Sequence, residues 1–220
     1  MADILPFFAV PFGFARLDNC AALNQELSTL FLARSAAGGE HANPRPLTQR
    51  NPQVFESNFG LFRSQERPIQ QLKEFCWRHL IKCVCDVNGY DDVMRSRLLI
   101  YSDAWFHVTR RGGYFSLHNH PNASWSGVYC VDTGANGATP IPNDGGALTF
   151  VNPTLTASMH LDAGNTGFTG AFAGGTKALR MEPGQLVMFP SWVLHEVTPY
   201  DGDGTRITVA FNCWFGLKDA

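Results

Sequence analysis

Two histidines separated by a single residue are the first feature of the chain that could do chemistry. His118 and His120 lie in the segment 116–121, whose composition favours a β-strand. Alternate residues of a strand face the same side, so both imidazoles would point the same way. Imidazole is the commonest metal-ligating side chain, and Pro121 would end the strand beside an opening to solvent. The spacing therefore predicts two ligands of a metal site.

A third ligand has to come from a distant part of the chain. His195 is the best candidate, because it follows a turn at Gly184, a strand-like run and a second turn at Pro190. It would therefore arrive on a late strand of the same domain. Its neighbour Glu196 is a weaker candidate, since it faces the opposite side of that strand. The three histidines together predict a metal site.

An arginine near the end of the chain could bind an anion close to this metal. Arg206 lies eleven residues after His195 and begins the last strand-like run, in which Thr208 faces the same way. A guanidinium binds a carboxylate through two parallel hydrogen bonds, and a hydroxyl two residues later can add another. The alternative is a surface arginine in a hairpin, because the turn-forming segment 201–204 precedes it.

These residues need a β-rich scaffold, and the sequence predicts one after a helical N-terminal region. Apolar spacing predicts helices over 18–34 and 68–87. From about residue 98, runs of β-branched and aromatic residues alternate with Gly, Pro, Asn and Asp clusters, which is the pattern of strands and turns. Strands are predicted near residues 98–109, 114–119, 124–132, 146–151, 178–181, 185–189, 193–198 and 205–214.

This number of strands favours a mainly β fold with flanking helices, built on a double-stranded β-helix, the jelly roll of cupin-like proteins. We predict a single domain over 1–220, in which residues 1–97 form a helical N-terminal elaboration and 98–215 form the catalytic core. The loop-like intervals 133–145 and 153–176 are predicted to roof the active site.

Composition narrows the class of partner. Charged residues make up 16% of the chain and the net charge is −2, which disfavours nucleic acid and membrane surfaces as partners. No apolar stretch is long enough to span a bilayer, and the start lacks the basic region of a signal peptide, so we expect a cytoplasmic protein. The six cysteines are predicted to be buried thiols. A homodimer is compatible with the sequence, which does not fix the oligomeric state.

The histidine pair, the distant histidine and the arginine together resemble the signature of the 2-oxoglutarate- and iron(II)-dependent oxygenases. In that superfamily an HxD pair is followed by a distant histidine and then by an arginine on the next strand. A narrower resemblance, to a small bacterial and phage subgroup of these oxygenases, is carried by segments 113–120, 118–121, 126–129, 189–192 and 211–212.

The resemblance implies roles for individual residues. His118 and His195 would bind Fe(II), and Arg206 with Thr208 would hold the distal carboxylate of the co-substrate 2-oxoglutarate. Dioxygen would split this keto acid into succinate and carbon dioxide while a small molecule or a side chain is hydroxylated. Two further residues are predicted to contact the co-substrate, namely His107 and Tyr129.

His120 stands where the superfamily has an aspartate. Three neutral imidazoles leave a ferrous site with a charge of +2, whereas one carboxylate would lower it to +1. This departure keeps two other readings open. One is a cupin-like three-histidine enzyme, either a dioxygenase that needs no 2-oxoglutarate or an isomerase. The other is a metal-binding barrel without catalytic activity.

Overall fold

The strands and helices follow one another much as the sequence predicts. A computed structural model of the chain describes residues 3–6, 8–46, 51–135, 145–154, 160 and 162–218. The helices are α1 (Ala21–Ala37), α2 (Arg67–Asn88) and α3 (Asp92–Arg97). The strands are β1 (Gly13–Arg16), β2 (Val54–Glu56), β3 (Leu98–Thr109), β4 (Phe115–His118), β5 (Trp125–Asp132), β6 (Leu148–Val151), β7 (Thr176–Leu179), β8 (Gln185–Pro190), β9 (His195–Val197) and β10 (Arg206–Leu217).

Within the described residues the strands form two antiparallel sheets. The larger sheet has the order β1-β8-β5-β10-β3-β2, and the smaller has the order β4-β9-β6-β7. The long strand β10 lies in the middle of the larger sheet and pairs with β3 on one side and β5 on the other. Consecutive strands therefore alternate between the two sheets over much of the chain. The prediction of a mainly β, double-stranded β-helix fold is confirmed.

Helices α1 and α2 cover the outer face of the larger sheet. Leu27 and Phe31 of α1 and Leu72 of α2 are fully buried in the main hydrophobic cluster. The Phe31 ring stacks on Phe106 of β3, with centroids 4.2 Å apart. Burying a side chain of this size contributes roughly 2 kcal/mol. The helical region thus fixes the larger sheet from outside and leaves its inner face for the cavity.

Four elements differ from the sequence prediction, and one of them is α3, a six-residue helix that was not predicted. The first helix begins at Ala21 and not at residue 18, because Asn19 has a left-handed backbone with φ of 52°. Strands β1 and β2 were not predicted, because they lie in residues 1–97, which the sequence analysis assigned to a helical region. They form by pairing with β8 and β3.

Part of the chain lies outside this description. Residues 136–144, 155–159 and 161, which belong to the predicted roof loops, are outside the described residues, so that prediction is not tested there. Of the helices that the structure does describe, none is both long and apolar enough to cross a membrane.

Candidate metal and co-substrate site

Three histidines meet at one edge of the space between the two sheets. His118 ends β4 and pairs directly with His195, the first residue of β9. One ligand atom from each of His118, His120 and His195 lies within 4.8 Å of the other two. The ring centroids of His118 and His195 are 4.4 Å apart, and those of His120 and His195 are 5.1 Å apart. The structure therefore brings together all three predicted ligands.

His120 reaches this cluster from a turn, whereas the sequence suggested that it would share a strand with His118. Strand β4 ends at His118, and its register with β9 shifts between Phe115 and His118. The backbone N–H of His120 then donates to the carbonyl of Ser191 at 2.9 Å. This bond ties the turn to the end of β8 and sets the position of the third imidazole.

Hydrogen bonds to the backbone prepare two of the rings for a metal. Nδ1 of His118 lies 2.6 Å from the carbonyl oxygen of Ser116, and Nδ1 of His195 lies 2.9 Å from that of Val193. A carbonyl only accepts, so each Nδ1 carries the proton and Nε2 keeps its lone pair. Such a partner fixes the tautomer and the orientation of a ligating histidine.

The imidazoles are also held neutral. Burial, which is the largest cause, and the neighbouring histidines together lower the pKa of His120 to about 3 and that of His195 to about 4. Burial likewise lowers the pKa of His118. Because a metal binds only neutral imidazole, the site is ready to take a cation at neutral pH without losing protons.

The cavity beside the histidines is lined by polar residues of the larger sheet and by apolar residues from both sheets. Arg206 and Thr208 alternate along β10 and share its cavity face, as the sequence suggested. The side chains of Leu148 and Phe189 enclose the opposite part of the wall. An apolar enclosure strengthens electrostatic contacts inside it, because the local dielectric constant is low.

Arg206 is buried without a charged partner. It is only 7% exposed, and no described residue forms a hydrogen bond or an ion pair with its guanidinium. Its stem packs on Gly146, whose φ is 72° and where an added Cβ would lie 3.1 Å from Cδ of Arg206. Burial lowers the pKa of Arg206. A buried cation of this kind costs several kcal/mol unless an anion joins it.

His107 lines the same cavity beside Thr208, since the two residues are paired across β3 and β10. Its Nε2 lies 3.1 Å from Oε2 of Glu56 and 2.9 Å from Nε1 of Trp105. No described residue contacts its Nδ1 through a hydrogen bond. His107 thus stands on the wall where the sequence placed it.

Tyr129 is not brought to the cavity. Its side chain is fully buried on the outer face of the larger sheet, where its hydroxyl donates to Oδ1 of Asn24 in α1 at 2.8 Å. Cys130, the next residue, pairs with Thr208 and so takes the cavity face of β5. We therefore correct the prediction that Tyr129 contacts the co-substrate, because strand alternation points it at the helices.

Two polar residues of the cavity were given no role in the sequence analysis. Glu56 comes from the unpredicted strand β2 and pairs with His107. Asn212 lies further along β10, where its Oδ1 accepts a hydrogen bond of 2.7 Å from Ser126. The Ser126 hydroxyl also lies 2.8 Å from that of Ser191. This network orients the amide of Asn212 at the cavity wall.

Solved structures share this fold over nearly the whole chain. A prolyl-4-hydroxylase from Pseudomonas putida is 18% identical with a TM-score of 0.60, over 95% of this chain and 94% of that one. AviO1 from Streptomyces viridochromogenes is 13% identical with a TM-score of 0.59, over 98% and 93%. HygX from Streptomyces hygroscopicus, solved with nickel and 2-oxoglutarate bound, is 10% identical with a TM-score of 0.55, over 96% and 84%. At these identities the likeness shows the fold alone.

The family comparison goes further than the fold. No curated protein is significantly similar to the chain. A family model described as "Putative 2OG-Fe(II) oxygenase" matches residues 103–212, which is half of the chain and holds the three histidines and Arg206. The chain therefore belongs to this family of iron- and 2-oxoglutarate-dependent oxygenases and is an enzyme of that class.

Proposed function

We propose that His118, His120 and His195 bind Fe(II), and that Arg206 with Thr208 binds the distal carboxylate of 2-oxoglutarate. The protein would then use dioxygen to hydroxylate a small molecule or a side chain of a larger one. The observation that carries this proposal is the buried, unpaired guanidinium of Arg206 in the cavity that the three histidines share. A dicarboxylate that reaches both groups would neutralise the buried cation.

The donor set fits a ferrous ion. Imidazole suits iron, and three ligands on one side leave further coordination positions open to a chelating co-substrate and dioxygen. When bound, the metal would supply the redox chemistry that couples oxidative loss of carbon dioxide from the keto acid to oxygenation of the substrate.

The chain's own residues would bind and orient the reactants. Arg206 would bind a carboxylate through two parallel hydrogen bonds, and this would orient a keto acid along the wall formed by β10. His107 is paired with Thr208 across β3 and β10 and lines the same cavity, so we propose that it contacts the co-substrate. The apolar residues Leu148 and Phe189 limit water around these contacts.

Binding of 2-oxoglutarate tests the role of Arg206. Isothermal titration of the anaerobic protein loaded with Mn(II) should give saturable 2-oxoglutarate binding, and Arg206→Met should weaken it by roughly a hundredfold. The matched control is Arg16→Met. It removes an exposed arginine of the same sheet, which forms an ion pair with Glu182, and it should leave the affinity for 2-oxoglutarate unchanged. Equal affinity in Arg206→Met and the unaltered protein would refute the assignment.

The same variant should behave differently in stability measurements. Replacing a buried, unpaired charge with an apolar side chain of similar length is neutral or stabilising, by about 1–4 kcal/mol. Arg206→Met without metal or co-substrate should therefore unfold at an equal or higher denaturant concentration than the unaltered protein. A large loss of stability would mean that Arg206 has a structural partner after all.

His120 favours a second candidate function, a three-histidine dioxygenase or isomerase that acts on a chelating substrate without 2-oxoglutarate. A neutral third ligand leaves the metal more positively charged than a carboxylate would. Oxygen consumption with substrate but without any keto acid would support this alternative. Release of succinate that depends on 2-oxoglutarate would support the leading proposal instead.

Four further features stay proposals. Residues 98–215 would form the catalytic core, with residues 1–97 packed on it as part of one domain. The protein would be cytoplasmic and would not bind nucleic acid, and a homodimer is one oligomeric state compatible with the sequence. Cell fractionation tests the location, a filter-binding assay tests nucleic-acid binding, and light scattering tests the oligomeric state.

A further inference from the structure

We propose that Glu56 supplies the negative charge that the three-histidine site lacks, as a positioning residue that acts on the metal without binding it. The inference rests on the proposed metal site, which would otherwise contain only neutral ligands. It assigns a role to the short strand β2, which brings Glu56 to the wall of the cavity beside β3.

Glu56 is the one acidic side chain among the described residues that line the cavity. Its side chain is 5% exposed, so its charge is poorly screened by solvent. Arg206 is the one permanent cation of the same described lining. A buried carboxylate and a buried guanidinium in one cavity, not paired with each other, indicate that each serves a further charge within it.

Two polar side chains contact the carboxyl group of Glu56. Nδ2 of Asn43 donates to Oε1 at 2.5 Å, and Nε2 of His107 lies 3.1 Å from Oε2. Burial alone would raise the pKa of Glu56, but its contacts with His107 and Asn43 lower it overall. The hydrogen bond donated by Asn43 stabilises the carboxylate form of Glu56.

The charges of the loaded cavity then balance. Ferrous iron carries two positive charges and 2-oxoglutarate two negative ones, so their sum is zero. Arg206 adds a positive charge, and Glu56 cancels it. Without Glu56, a cavity walled by Phe115, Leu148 and Phe189 would keep a net positive charge, which is unfavourable in a low-dielectric space.

Glu56 acts at a distance and not as a ligand. Its oxygens already contact Asn43 and His107, and among the described residues the ligand atoms that converge belong to the three histidines. Glu56 and the three histidines line the same cavity, so a carboxylate there will favour a metal cation held by the histidines.

The test measures metal affinity on the full chain, without turnover. Stripped protein is titrated with Mn(II) by calorimetry, and Glu56→Gln should bind at least about tenfold more weakly than the unaltered protein. Glu56→Asp keeps the charge and should bind more tightly than Glu56→Gln. The matched control Glu182→Gln removes an exposed carboxylate and should bind as the unaltered protein does.

A rescue variant separates charge from structure. In Glu56→Gln, the added change His120→Asp restores a negative charge at the site and should return Mn(II) affinity to about that of the unaltered protein. The visible spectrum of bound Co(II) should be the same in Glu56→Gln as in the unaltered protein, because the three ligands are unchanged.

The outcomes distinguish the two proposals. If the unaltered protein binds no Mn(II), the metal site itself is wrong and this inference falls with it. If the unaltered protein binds Mn(II) and Glu56→Gln binds it within twofold, or if His120→Asp brings no rescue, the role of Glu56 alone is overturned.

Discussion

The two faces of the larger sheet differ in almost every property, although they share the same strands. The outer face presents Phe106, Tyr129 and Val209 to the helices, and each of these side chains is at most 1% exposed in an apolar core. The inner face presents Arg206 and Thr208, which are almost as deeply buried but polar. Burial is therefore common to both faces, and the chemistry of the buried groups is what separates them.

This difference teaches how one sheet can serve stability and catalysis at once. Alternate residues of β10 point to opposite faces, so Thr208 and Val209 are neighbours in sequence with unrelated roles. A register slip of one residue would exchange the faces and bury the cavity groups among helices. The twelve-residue pairing of β3 with β10 holds that register.

The largest expected contrast is between a cavity histidine and a helix-side leucine. His195→Ala removes a ligand and should weaken Mn(II) binding by about a thousandfold or more, with little change in denaturation midpoint. Leu72→Ala leaves a cavity in the core and should lower the free energy of unfolding by about 2–5 kcal/mol. Its folded fraction should bind Mn(II) normally. For both variants, calorimetry measures Mn(II) affinity and urea denaturation measures stability. If His195→Ala mainly lowered stability and Leu72→Ala mainly weakened Mn(II) binding, the comparison of the two faces would be wrong.

The cavity face should also make stability depend on pH. The pKa of His195 is about 4 in the folded protein, below its unfolded value of about 6.5, so the unfolded chain binds more protons between these values. Stability is therefore fully present above about pH 6.5 and is lost as the pH falls toward about 4. From about pH 7 to about pH 5, His195 alone accounts for about 2 kcal/mol.

Urea denaturation of the metal-free protein at several pH values checks this expectation. His195→Gln should remove about 2 kcal/mol of the change between about pH 7 and about pH 5 and leave the contributions of His118 and His120. His79→Gln on α2, where burial also lowers the histidine pKa, should remove less. A stability that is flat over this range in the unaltered protein would show that the cavity histidines titrate as if exposed.

Much of the fold can be predicted from the sequence, because alternation and turn residues are local signals. Strand β3 has the predicted bounds of 98–109, and the strands that carry His118, His195 and Arg206 lie where their patterns place them. The pairing of β4 with β9 cannot be read locally. It follows from the topology, which sets His118 directly opposite His195.

One wrong prediction, Tyr129, and one missed residue, Glu56, have a common cause. Pairing between strands that are distant in the chain leaves no local signal in the sequence. The face of the sheet on which Tyr129 lies depends on the register of β5 against β10, which pairs Cys130 with Thr208 and Tyr129 with Val209. Glu56 lies on a three-residue strand that exists only through its pairing with β3. The type of a side chain can identify a candidate site residue, but the register between strands determines the face of the sheet on which it lies.

The smallest expected effects compare two hydroxyls on opposite faces of the sheet. Tyr129→Phe removes a hydrogen bond to Asn24 and should lower the free energy of unfolding by about 1 kcal/mol, without changing 2-oxoglutarate affinity. Thr208→Val removes a cavity hydroxyl and should weaken 2-oxoglutarate binding by about fivefold to tenfold, with little loss of stability. Calorimetry with Mn(II) present, beside urea denaturation, measures both variants. If Tyr129→Phe weakens co-substrate binding as much as Thr208→Val does, then the separation of the two faces is not a separation of roles.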